Sequence, residues 1–120
     1  MKQADAICTA YTSETKAVDR PRSYAQIVAY VQKTLPLYEA ALRRLEALQP
    51  PSRDAQAVRR WLAADRRVAK AVHDLGAGAL RRDFPTVTTA ASRAELAGSQ
   101  SRSAAAGLGM KVCARLVSGR

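Results

Sequence analysis

Histidine occurs once, cysteine twice, and aromatic residues make up only 5% of the 120-residue chain. A single histidine, with no Cys-x-x-Cys, His-x-x-x-His or Glu-x-x-His spacing, argues against the familiar zinc and di-iron carboxylate sites. Few aromatics means few stacking platforms for bases, and no zinc-finger, RNP or KH signature is present. With 6 glycines and 5 prolines the chain is neither collagenous nor of low complexity. No stretch approaches the roughly 18 consecutive apolar residues of a membrane-spanning helix. Gly76-Ala77-Gly78 lacks the remainder of a phosphate-binding loop, and no nucleophile elbow surrounds any serine. β-Branched residues cluster only at Thr86-Val87-Thr88-Thr89, where an alanine-rich helical pattern follows directly. Nothing recurs with a period of about 20 to 50 residues, so a solenoid is unsupported. No cofactor, no metal and no catalytic set is expected, and the chain reads as non-enzymatic.

What is abundant is arginine. There are 20 Lys+Arg against 10 Asp+Glu, a formal net charge of +10, while 48% of residues are hydrophobic, too many for a disordered chain. Such a surface attracts polyanions, nucleic acid or an acidic wall polymer among them. Arg59 and Arg66 are seven residues apart on one helical face, and Arg60, Arg67 and Arg81 extend a neighbouring strip, with Arg82 beside the last. These six are the candidate anion-binding residues. The plainer alternative is a solvated face laced with i,i+4 pairs such as Glu39 with Arg43.

The length suits one domain spanning residues 1–120, frayed near 1–2 and 118–120. Prolines divide it into four helical stretches. The first runs from about Gln3 to Val18 and stops before Pro21, which disfavours helical geometry in its predecessor. Ser23 with Gln26 forms a capping box for the second. Ile27, Val31, Leu35, Tyr38, Leu42 and Leu45 then follow in the rhythm of a helix buried along one side. Pro36 lies inside this run and is expected to bend it. Pro50-Pro51 ends the second helix and Ser52 caps the third, whose buried side is Val58, Trp61, Leu62, Val68, Val72, Leu75 and Leu80. Gly76 and Gly78 either weaken its last turns or admit a neighbour at close range.

The fourth stretch, about Thr86 to Ala106, presents Val87, Ala90, Ala94, Ala97, Ser101 and Ala104, nearly all small. Ala94, Ala97, Gly98 and Ser101 therefore offer a face for close helix packing, including a helix from another chain. Short connections favour antiparallel neighbours. The expectation is an all-α, up-down-up-down four-helix bundle.

In that topology the end of the fourth helix returns to the start of the first, which brings Cys8 and Cys113 within bridging range. A disulfide from the first helix to the C-terminal tail is expected, and with it an oxidising compartment, secreted or in the cell envelope. Two free buried thiols in a cytosolic protein are the alternative. Met1-Lys2-Gln3 leads into the first helix with no apolar segment of a signal peptide, so the sequence reads as a mature segment behind a new initiator methionine.

Ala4-Asp5-Ala6-Ile7-Cys8, Pro50-Pro51 before an arginine-rich helix, Arg81-Arg82-Asp83-Phe84 after it, and Leu108-Gly109-Met110-Lys111-Val112-Cys113 span nearly the whole chain. Together they resemble small secreted or lipid-anchored two-cysteine helical proteins of actinobacterial type, which are largely uncharacterised. The resemblance implies export, one disulfide and a helical bundle, and supplies no activity. Cys8 has no lipobox before it.

Two polar residues sit among apolar ones on the third helix. Asp65 falls on its buried side, either as an acid/base or ligand-orienting group or as an edge residue paired with an arginine or a tyrosine hydroxyl. His73 lies near the same seam and is expected to be partly buried. Tyr11, Tyr24, Tyr30 and Tyr38 either fill the core or line a small apolar-ligand pocket against Trp61. The leading expectation is a module that binds an unknown protein partner or forms a homo-oligomer. Binding of anionic polymers through the arginine strips, and carriage of a small apolar ligand, are the alternatives.

Overall fold

The computed structural model describes residues 2–116. Four helices follow one another: α1 (Lys2–Thr15), α2 (Tyr24–Glu46), α3 (Ala55–Leu80) and α4 (Phe84–Gly107). A 3-10 turn, Ser52–Asp54, leads into α3, and another, Cys113–Arg115, lies in the tail. No strand occurs among the described residues, so the four-helix, all-α expectation holds. The expected fraying at 118–120 lies outside the described residues, while Lys2 already belongs to α1.

Local chemistry sets most of the boundaries. The Ser23 hydroxyl accepts the Gln26 amide at 3.2 Å, and the Gln26 side chain reaches back to the Arg22 amide at 2.7 Å. The capping box is thus present, with its return bond one residue earlier than the usual pattern. α2 runs through Pro36 without interruption. α1 stops at Thr15, three residues before the expected end. Ser52 does not cap α3: it opens the 3-10 turn, and Asp54 takes the N-cap position without a side-chain bond. α4 starts at Phe84, where Asp83 Oδ1 accepts the Thr86 amide at 3.2 Å. α3 ends in a left-handed residue, Arg82 (φ 54°), with the Asp83 amide reaching the Gly78 carbonyl at 2.9 Å. α4 ends in the same way at Gly109 (φ 81°), where the Met110 amide bonds the Ala105 carbonyl at 3.1 Å. These are the two ways a chain closes a Schellman motif, one at the steric cost of a side chain and one without it.

α3 is the central element, with α2 against one side and α4 against the other. The glycines explain how close these helices come. A Cβ on Gly76 would stand 2.8 Å from Val31 Cγ1, and one on Gly78 would stand 2.8 Å from Thr86 Cγ2. Both glycines therefore admit a neighbour at close range. On α4 the residues turned inward are Ala90, Ala97, Gly98, Ser101 and Ala105. Ala94 and Ala104 are only half-buried, because the stripe drifts around the helix as 3.6 residues per turn accumulate over its length.

α1 completes the bundle differently from a symmetric ring of helices. It packs on α2 and on the tail, and no Cα of α1 lies within 8 Å of a Cα of α4. The seam between them is filled by side chains and by residues 108–116. Cys8 and Cys113 are joined in a disulfide with Cα atoms 5.4 Å apart. It belongs to a cluster with Ile7, Leu45, Trp61, Ala105 and Met110. Asp5, one turn before Cys8, receives the amides of Lys111, Val112 and Cys113 at 2.9, 3.0 and 3.1 Å. Partial burial raises the pKa of this carboxylate, but the three backbone donors outweigh it and hold the group below the ordinary range.

One expected core position of α3 lies outside. Leu80 is 72% exposed, because it is the last residue of α3 and Ala79 takes the inward place beside it. Leu62 and Leu75 are half-buried at the edges of the interface.

Replacing Gly76 or Gly78 by alanine forces Val31 or Thr86 to move, a cost of about 1–3 kcal/mol that exceeds the roughly 1 kcal/mol of helix propensity gained. Urea unfolding is expected to show each variant less stable than the parent. Gly107→Ala, where the added carbon meets nothing within 4 Å, is expected to be neutral or slightly stabilising. A gain at 76 and 78 equal to that at 107 would contradict the close packing.

Candidate functional site

The buried polar residues gather at one level of the bundle. Asp65, on α3, is 5% exposed. Its Oδ1 accepts the Tyr38 hydroxyl of α2 at 3.1 Å and the Ser101 hydroxyl of α4. Tyr38 in turn meets Tyr11 of α1 edge-on, with ring centroids 5.5 Å apart. All four helices therefore converge on a single carboxylate and the two hydroxyls that hold it. No basic side chain of the described residues lies within 4 Å of Asp65.

Burial pushes the Asp65 pKa up to about 6, while the hydrogen bonds from Ser101 and Tyr38 pull the other way. Burial also raises the Tyr38 hydroxyl, as does the neighbouring Asp65 carboxylate. Tyr11 is raised by burial as well. Carboxyl and phenol thus settle into a fixed pattern near neutral pH, with the phenol as donor and the carboxylate as acceptor.

The surroundings leave the group little to act on. The cavity beside it, lined by Tyr11, Tyr30, Tyr38 and Val68, measures about 10 Å³. That is the volume of about one water-sized probe. The tyrosine-lined ligand pocket expected as an alternative is filled by the tyrosines themselves. Trp61, which was to complete it, is buried in the separate cluster around the disulfide. The edge reading of Asp65, paired with a tyrosine hydroxyl, describes its contacts, although the residue is more deeply buried than an edge position requires.

His73 is not at this seam. Its side chain is 71% exposed, with Nδ1 3.5 Å from Asp74 Oδ1. It follows Val72, which packs inward, and one further residue rotates the side chain by about 100° into solvent.

The arginine strips divide. Arg66 reaches α2 and donates to Glu46 Oε1 at 2.6 Å, which places the Arg59–Arg66 strip on the α2 side of α3. Arg67 reaches α4 and donates to Gln100 Oε1 at 3.1 Å. Arg60, Arg67 and Arg81, at steps of seven and fourteen, follow that other side. Arg82 occupies the left-handed turn. The Glu39–Arg43 ion pair does not form; among the described residues the i,i+4 pair that does is Lys70 with Asp74, at 2.9 Å.

The small-residue face of α4 is spent inside the chain. Ala97, Gly98 and Ser101 are buried, Ser101 binds Asp65 across the helix interface, and Ala97 packs with Tyr11, Tyr38 and Val68. Ala94 is half-buried at its edge. Ala97 and Ser101 are therefore engaged within the chain, while Gly98 lies beneath the Arg102 side chain of its own helix. What lies outside instead was not singled out from the sequence. Among the described residues, Leu80 (72%), Phe84 (67%) and Leu96 (62%) are the exposed large apolar residues, and all three belong to the α3–α4 hairpin. Compared with protein-family models, with characterised proteins and with solved structures, the chain matches none.

The sign of the Asp65 effect follows from its raised pKa. Between the unfolded value near 4 and the folded value near 6, the native state holds a proton that the unfolded state has released. Stability contributed by this group is full at the acid end of the window and is lost as pH rises through it, by on the order of 2–3 kcal/mol. Asp65→Asn is expected to abolish that slope and to be at least as stable as the parent at pH 7. Unfolding measured at intervals from pH 4 to 7 checks this; an unchanged slope in the variant would contradict it.

Proposed function

We propose that the chain is an exported, non-enzymatic helical module that acts by binding a protein partner at its outer surface. The observation that carries this reading is the placement of the large exposed apolar residues. Leu80, Phe84 and Leu96 all sit on one hairpin, whereas the apolar stripe of α2 is turned inward. Leu80 and Phe84 flank the turn of this hairpin and Leu96 lies further along α4, so that one side of the molecule offers apolar contacts to a partner. The filled interior around Asp65 supports the same view, since its carboxylate is committed to Tyr38 and Ser101.

Export is supported by the disulfide, which persists in oxidising compartments and is rare where thiols are kept reduced. It accords with the resemblance to small secreted two-cysteine proteins. Self-assembly through α4 draws less support, because Ala97 and Ser101, at the centre of its small-residue face, pack on α3. The anionic-polymer alternative draws less support, because the Arg59–Arg66 and Arg67–Arg81 strips look out on different sides of one helix.

Protein isolated from its native cells without reductant, then denatured, is expected to expose no free thiol. A photo-crosslinker in place of Phe84 is expected to capture a protein partner, and one in place of Arg44 on α2 is not. Two free thiols per chain would contradict export, and equal capture at the two positions would contradict the hairpin as the binding surface.

A further inference from the structure

The outer side of the α3–α4 hairpin carries a groove that the buried carboxylate does not use. Two cavities, of about 280 and 540 Å³, lie between the helices and meet at Asp74 and Arg93, which line both. Arg67, Lys70 and Leu96 border the first, and Arg81 borders the second. From Arg67 to Arg81 the groove follows α3 for about 21 Å, some four helical turns.

Its chemistry is one-sided. Four cations, Arg67, Lys70, Arg81 and Arg93, face one carboxylate, Asp74, which Lys70 already holds at 2.9 Å. Between them Leu96 is left 62% exposed. A +10 chain has cations on many faces, but here they frame apolar surface along a channel between two helices.

We propose that this groove docks a helical segment of a protein partner that carries acidic residues beside an apolar stripe. The inference rests on the partner-binding reading above and adds the chemistry of the partner. A third helix fits the channel between two antiparallel ones, and its apolar stripe covers Leu96. Its carboxylates meet the three guanidinium groups, which bind carboxylates through paired N–H donors. A phosphate polymer satisfies the cations but leaves Leu96 against a charged backbone. A flat bilayer covers the rims and not the floor of a concave channel.

The probe is a fluorescein-labelled peptide of about 18 residues, with leucine at i, i+3, i+4 and i+7 and glutamate on the flanks, set against the same peptide with lysine for glutamate. Binding to the full oxidised chain is read by anisotropy at physiological ionic strength, with circular dichroism confirming that each variant is folded. The acidic peptide is expected to bind and the basic one is not. Arg93→Glu and Leu96→Asp are each expected to weaken binding by about tenfold or more, and Arg44→Glu, the same charge change on α2, by less than about twofold. No binding of the acidic peptide, or equal weakening by Arg93→Glu and Arg44→Glu, overturns the proposal. So does duplex DNA that binds more tightly than the peptide and loses affinity on Arg93→Glu but not on Leu96→Asp. Each of these results leaves the partner-binding reading standing if the Phe84 crosslink still forms; loss of that crosslink sinks the reading itself.

Discussion

α1 has 14 residues where its neighbours have 23 to 26, and it makes no close backbone approach to α4. Its place in the bundle depends on the tail. Two links made within one turn of α1 secure it: Asp5 receives three consecutive tail amides, and Cys8 is bonded to Cys113. The first is directional and satisfies backbone donors that a short 3-10 segment leaves open. The second removes conformational freedom from the unfolded chain over a separation of 105 residues. Trp61, 1% exposed, packs in the cluster that includes both cysteines, so the clamp and the largest buried side chain of α3 support one another.

The remainder of the interior is built at close quarters. Gly76 and Gly78 let α3 approach α2 and α4, and alanines on α4 keep that seam thin. Small residues bury little area each, so the helices gain less from hydrophobic burial than large residues would give. Hydrogen bonds to Asp65 tie three of the helices at one level, and the Tyr11–Tyr38 contact brings in the fourth. The same economy leaves the inside full. On the outside, the α3–α4 hairpin exposes large apolar residues among cations, the surface on which the proposed partner binding rests.

Much of this was legible in the sequence. Spacing gave the four helices, the Ser23 cap and the inward stripe of α2. Chain topology brought Cys8 to Cys113, and the position of Asp65 among apolar neighbours placed it on the inner side of α3 with a tyrosine hydroxyl as a candidate partner, though not as deeply as it lies. The features that escaped depend on where one helix ends against another. Leu80 and His73 fit the apolar seam by periodicity, but α3 outruns its cover at one and turns out to solvent at the other. Asp5 stands a single turn before Cys8, yet its partners are more than 100 residues away and are backbone amides, which carry no sequence signal. The small face of α4 was legible as a packing face, and its assignment to another chain was not secure. Gly78 on α3, which lies against Thr86 and Val87 of α4, was the sign that its partner lay within the same chain. The groove could not be read at all, because Arg93 on α4 joins Arg67 and Arg81 on α3 only once the relative rotation of the two helices is fixed.

Hydrogen exchange on the oxidised and the reduced protein tests the clamp most directly. Reduction is expected to speed exchange in α1 and in residues 108–116 by about a hundredfold or more, while the amides of α3 facing α4 keep their protection. Unchanged protection in α1, or an equal loss across all four helices, would contradict the account of how this fold is held together.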